Sequence, residues 1–118
     1  MPTPINWTTV RRADIWLDEA VSADYINQPL AQDWARVAKM SEEIGEAIAE
    51  LISMTGQNPR KPRDPEAYVK FLKEMGDAVV TGILGIQHFT KDTEFTSEVI
   101  NAAITKLAGR IPDRYNGR

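Results

Sequence analysis

The sequence predicts an all-α fold, a four-helix bundle-like arrangement, and three observations carry this. The two longest segments repeat apolar residues at three- and four-residue spacing. No segment alternates apolar and polar residues over a useful strand length. Helix breakers fall where one periodic segment gives way to the next, at Ile26-Asn27-Gln28-Pro29, at Gln57 to Pro65 and at Ile111-Pro112. With 118 residues, the length suits one compact domain with one core, spanning 1–118.

The first helix is expected from about Thr9 to Tyr25. Thr8 or Thr9 serves as its cap, and the residue before Pro29 is pushed out of the helical region. The second runs from about Leu30 to Thr55 and stops at Gly56, a suitable residue just past a helix end. The stretch QNPRKPRDP, with three prolines and three basic residues, reads as an exposed loop. Asp64-Pro65 then offers a cap followed by proline in the first turn of a third helix that reaches Thr90. Lys91 to Glu94 separates it from a fourth, expected over about Phe95 to Arg110. There is no internal repeat.

Composition narrows the function. The net charge of −3 gives no global basic footprint for nucleic acid. The absence of cysteine excludes disulfides, thiol catalysis and thiolate metal sites, and favours an intracellular, cytoplasmic protein. No basic-then-apolar leader opens the sequence, and the longest apolar run, Ala78 to Ile86, is too short for a bilayer.

Helical phase places Trp34, Val37, Ser41, Ile44, Ile48, Leu51 and Ile52 on one stripe of the second helix, the expected core face. Lys39, Glu43, Glu46 and Glu50 fall nearly opposite, which taken alone is a solvated face. On the third helix the main apolar stripe is Tyr68, Phe71, Leu72, Met75, Val79, Ile83 and Ile86. Its other side carries Lys70, Lys73, Glu74 and Asp77, then Val80, Thr81, Leu84 and His88, and no charged residue appears on any face from Ala78 to Ile86. Glu74 and Asp77 therefore border a face that becomes buried one turn later, and buried carboxylates require a proton, a basic partner or a metal.

Each helix thus presents an acidic pair at i, i+3, Glu43 with Glu46 and Glu74 with Asp77. Antiparallel packing would let the four carboxylates converge. Oxygen donors without histidine or cysteine suit Mg2+ or Mn2+. Such an ion keeps waters, binds substrate phosphates and activates a water for attack. Gly45 and Gly76 sit beside the pairs and suggest close backbone approach, since each costs about 1 kcal/mol relative to alanine.

The stretches Glu42-Glu43-Ile44-Gly45-Glu46 and Glu74-Met75-Gly76-Asp77 resemble the two half-motifs of the MazG-like, all-α nucleotide pyrophosphohydrolases. The resemblance is clearest from Trp34 to His88. It implies a MazG-like fold completed by dimerisation, as a homodimer or homotetramer. It implies a Mg2+-dependent hydrolase that cleaves a nucleoside triphosphate to the monophosphate and pyrophosphate, acting in nucleotide house-cleaning. By that analogy Glu43, Glu46, Glu74 and Asp77 hold the metal, and Glu46 is also the candidate catalytic residue that orients or deprotonates the water. Lys106 matches a phosphate-binding lysine of the fourth helix. Arg110 stands where relatives carry asparagine. The further glutamate that some relatives have is replaced by Ala49.

Trp34 is the aromatic residue to test for base contact, with Trp7 and Trp16 read as core or interface anchors. Arg60, Lys61 and Arg63 are read as solvated loop charges, with a lid as the minority role. His88 is assigned to the helix surface or an interface. Two alternatives stand beside the main reading. One is a phosphoribosyl-ATP pyrophosphohydrolase on the same scaffold. The other is a non-catalytic helical module that dimerises or docks a partner.

Overall fold

The computed structural model describes residues 1–118 and is all-helical, with no strand. Helix α1 spans Trp7–Tyr25, α2 Pro29–Thr55, α3 Ala67–Thr90 and α4 Thr93–Ala108, and a short 3-10 turn covers Asp113–Tyr115. No helix is long and apolar enough to cross a membrane.

The caps explain where the boundaries move from the expected ones. Asn6, not Thr8 or Thr9, caps α1: its Oδ1 accepts from the Thr9 amide at 3.1 Å. An asparagine outranks threonine at this position. Pro29 opens α2, and Gly56 closes it in the left-handed conformation at φ 72°. Asp64 accepts from the Glu66 amide at 3.0 Å, so Pro65 and Glu66 form a lead-in turn before α3. Asp92 accepts from the amides of Glu94 and Phe95, which starts α4 two residues earlier than the sequence suggested. Lys91 ends α3 at φ 54°, the one non-glycine residue with positive φ.

Helices α2 and α3 form the central hairpin, α1 lies mainly against α3, and α4 packs on α3 and α1 without touching α2. The face used inside this hairpin differs from the expected one. On α2 the residues turned inward are Arg36, Met40, Glu43, Ala47, Glu50 and Met54, with Ala47 fully buried. The apolar stripe expected to make the core stays open: Trp34 is 77% exposed and Ile48 49%. On α3, Tyr68, Leu72, Met75 and Val79 are likewise exposed.

Only six of 118 residues are buried. The radius of gyration is 17.9 Å, against about 13–14 Å for a compact chain of this length. One chain therefore supplies two amphipathic helices whose apolar sides face outward. The stripe of α2 that meets α3 mixes charged residues with Met40, Ala47 and Met54. Gly82 is the glycine at that contact: a Cβ there would meet Met40 Cε at 3.4 Å. Gly45 and Gly76 have open space at the Cβ position, so the close approach expected at those two does not occur within the chain.

Candidate metal centre and its flanking ion-pair cluster

Glu43 and Glu46 lie one turn apart on α2, opposite Glu74 on α3. One carboxylate oxygen from each lies within 4.8 Å of the other two. Glu43 and Glu74 are half-buried and Glu46 is exposed. Lys39 supplies partial compensation from one side, at 2.8 Å from Glu42 and 3.5 Å from Glu43. Glu42 is thus a surface ion-pair partner, while Glu50 is half-buried.

Two features make this trio chemically unsettled. Glu74 Oε2 is buried with no hydrogen-bond partner. The Glu46 carboxyl is held above its ordinary range, chiefly by a hydrogen bond shared with Glu74, then by lost hydration and by the charges of Glu74 and Glu42. Like charges that cannot all ionise share a proton or take up a cation. The donor set, carboxylate oxygens alone, fits a hard divalent ion.

Asp77, the fourth residue of the predicted set, stands outside the trio. It lies one turn beyond Glu74 on α3 and is exposed; its backbone carbonyl accepts from Thr81 Oγ1 at 2.8 Å. Trp34 is nine residues before Glu43, about two and a half helical turns, and so points to the opposite side of α2. It borders an apolar hollow with Leu30, Val37 and Phe89, away from the carboxylates. Lys106 and Arg110 lie in a stretch where every residue from Asn101 to Arg118 is exposed, and neither makes an ion pair. Nothing within one chain ties them to the carboxylates. Arg63 ties the loop to the end of α2, its Nε donating to the Met54 carbonyl at 3.1 Å.

A second cluster escaped the sequence reading. Asp14 and Asp18 of α1 meet Arg36 of α2, His88 of α3 and Lys91 at the α3–α4 corner. Asp14 is 2% exposed, the only buried acid. His88 Nε2 lies 2.7 Å from Asp33 Oδ1, so this histidine is an interior tie between α2 and α3 and not a surface residue. Asp14, Asp18 and His88 also satisfy the spacing of a metal group. Arg36 and Lys91 already neutralise the two aspartates, so a cation has little to gain there. Burial pushes Asp18 upward, but the hydrogen bond and charge of Lys91, with Arg36, outweigh it and hold Asp18 below the usual carboxylate range. The signal available in the sequence for this cluster was the i, i+4 spacing of Asp14 and Asp18 on α1.

The chain matches no protein-family model, no curated protein and no solved structure.

Proposed function

We propose that the protein is a divalent-metal-dependent nucleoside triphosphate pyrophosphohydrolase of the MazG-like kind. The observation that carries this is the convergence of Glu43, Glu46 and Glu74 around the unpartnered Glu74 Oε2. Those three carboxylates, with Asp77 drawn in from the next turn, would hold Mg2+. Bound there, the ion neutralises phosphate charge and lowers the pKa of a water.

Glu46 is the general base in this reading. It is the exposed member of the trio, so a bound substrate and its attacking water reach it more readily than Glu43 or Glu74. Glu43 and Glu74 are the more enclosed ligands. Lys39, beside the trio, is a cation within reach of a phosphate as well as of Glu42 and Glu43.

Self-association completes the molecule. The open apolar stripes of α2 and α3 match each other in kind, so a second copy of the hairpin closes them into a four-helix core. Lys106 and Arg110, both exposed, stay open to a second copy and keep the phosphate-contact role that the resemblance implies. The same apolar stripes would serve a non-catalytic docking module, and metal response separates the two readings. A catalytic site gives Mg2+-dependent pyrophosphate release from a panel of NTPs and dNTPs. Glu43→Ala and Glu74→Gln each lower it at least a hundredfold with helicity unchanged. Undiminished release in either variant, or none from the wild type, refutes the assignment.

A further inference from the structure

Helix α1 is tied to the rest of the molecule through two side chains. Every side-chain hydrogen bond and ion pair between it and another element ends on Asp14 or Asp18. Asp18 is the hub. Its Oδ1 accepts from Arg36 Nη2 at 2.8 Å and from Gln32 Nε2 at 3.0 Å, and its Oδ2 accepts from Lys91. The apolar side of the same half of α1 is loosely packed: Leu17, Val21 and Tyr25 wall a cavity of about 260 Å³ against Ala35 of α2 and Leu84 of α3. The second half of α1 therefore depends on its two aspartates to stay in place.

His88 faces this hub from α3, with its side chain 9% exposed. Its Nε2 lies 2.7 Å from Asp33 Oδ1 of α2. Its Nδ1 is buried, has no hydrogen-bond partner and lies 3.5 Å from Asp18 Oδ1. A neutral imidazole has one N–H and one bare lone pair. With the hydrogen on Nε2, the lone pair of Nδ1 is turned on the Asp18 carboxylate. With the hydrogen on Nδ1, the same conflict moves to Asp33. Only a ring carrying both hydrogens suits both carboxylates. The charges point the same way. Asp14, Asp18 and Asp33 bring three carboxylates, Arg36 and Lys91 bring two cations, and no ion pair reaches the cluster from α4. One imidazolium makes the cluster neutral, and enclosed charges are stable only when paired.

We propose that His88 is a proton-operated latch that closes α1 onto the α2–α3 hairpin. With a proton taken up, one ring bonds Asp33 and Asp18 together, and α1 is held over the cavity. With the proton lost, the ring keeps Asp33, turns a lone pair on Asp18, and the second half of α1 loosens. The closed form is the one that takes the proton. Closure is therefore strongest at low pH and weakens as pH rises through about 5–8, the range in which histidine side chains change charge. Asp18, held below the usual carboxylate range, keeps its charge across that window. The latch works apart from the carboxylate trio, which begins about two turns further along α2.

His88 is the only histidine, so its ring nitrogens are identified without ambiguity by NMR. In the folded wild type both should carry hydrogen at pH 5.5, and Nδ1 should lose it by pH 8. Amide-exchange protection over residues 17–25, referenced to residues 80–86 of α3, should fall at least tenfold between the same two pH values. His88→Gln, which keeps a hydrogen bond and takes no proton, should remove that pH dependence. Asp33→Asn, which removes the third carboxylate from a partly exposed position, should do the same and carries the test where His88→Gln does not fold. A bare Nδ1 at pH 5.5 overturns the latch. So does protection of α1 that is equal at both pH values, or that falls as much in the variants as in the wild type.

Discussion

The substitution Asp14→Asn tests the ion-pair cluster most directly. It keeps the shape of the side chain and removes its charge. Asp14 and Arg36 are 3% and 11% exposed at their side chains, so this pair is buried. Removing one partner of a buried pair costs about 3–5 kcal/mol. Arg36 retains Asp18 and the Asp14 backbone carbonyl, and Lys91 retains Asp18, so the loss here falls at about 2–3 kcal/mol. Domains are stable by roughly 5–15 kcal/mol, so the variant should melt about 10 °C lower. Lys91 is half exposed, and Lys91→Met should cost only about 0.2–1 kcal/mol. Urea unfolding of both variants and of the double variant, at one fixed protomer concentration, measures each cost and their coupling. If Asp14→Asn costs no more than Lys91→Met, burial is not what gives the cluster its strength, and the reasoning fails.

Four further predictions follow from the same geometry. The folded Glu46 carboxyl holds its proton more tightly than the unfolded one, so its contribution to stability is full below the ordinary glutamate range and is lost as pH rises through the raised value. Mg2+ must displace that proton, so the Mg2+-induced rise in melting temperature should grow from pH 5 to pH 7.5 and shrink in Glu46→Gln; thermal melts at both pH values check this. Asp18 has the opposite sign: its stabilisation is present above the ordinary aspartate range and fades as pH falls through the depressed value, so Asp18→Asn should flatten the acid limb of the unfolding profile. Ile48→Glu, on the open apolar stripe of α2, should convert a dimer to a monomer in analytical ultracentrifugation, whereas a wild-type chain that is monomeric at micromolar concentration refutes the dimer. Asp92→Ala should cost about 1 kcal/mol by loss of the α4 cap, read by urea unfolding.

The helices were legible in the sequence because their determinants are local. Pro29 and Gly56 bound α2 where the sequence put them, and α3 ends at Thr90 as expected. The acidic pairs were legible for the same reason, since helical spacing alone brings Glu43 beside Glu46. Which stripe faces which neighbour was not legible. Periodicity identifies an apolar stripe without saying whether it meets its own chain or another, so Ile44 and Ile48 were assigned to a core that one chain does not form. The cluster around Asp14 was hidden because its members are far apart along the chain: Asp14 and Lys91 are joined only when α1 crosses the α3–α4 corner. Asp77 entered the set through its i, i+3 spacing from Glu74 and the second half-motif, and spacing along one helix does not say that it turns away from the two glutamates of α2.

Lys91 gives that corner an unusual dependence. A glycine would adopt the left-handed turn after α3 at less conformational cost. Here the position is held by a residue whose backbone reverses the chain and whose ammonium group reaches Asp14 and Asp18 on α1. The direction in which α4 leaves α3 is thus backed by a bond to the other end of the polypeptide. The corner's own buried ties, Thr96 to Gln87 and Thr90, hold the two helices locally, and Lys91 adds the link to α1. The usual engineering choice, glycine at such a turn, would relax the backbone while giving up the link from the corner to α1.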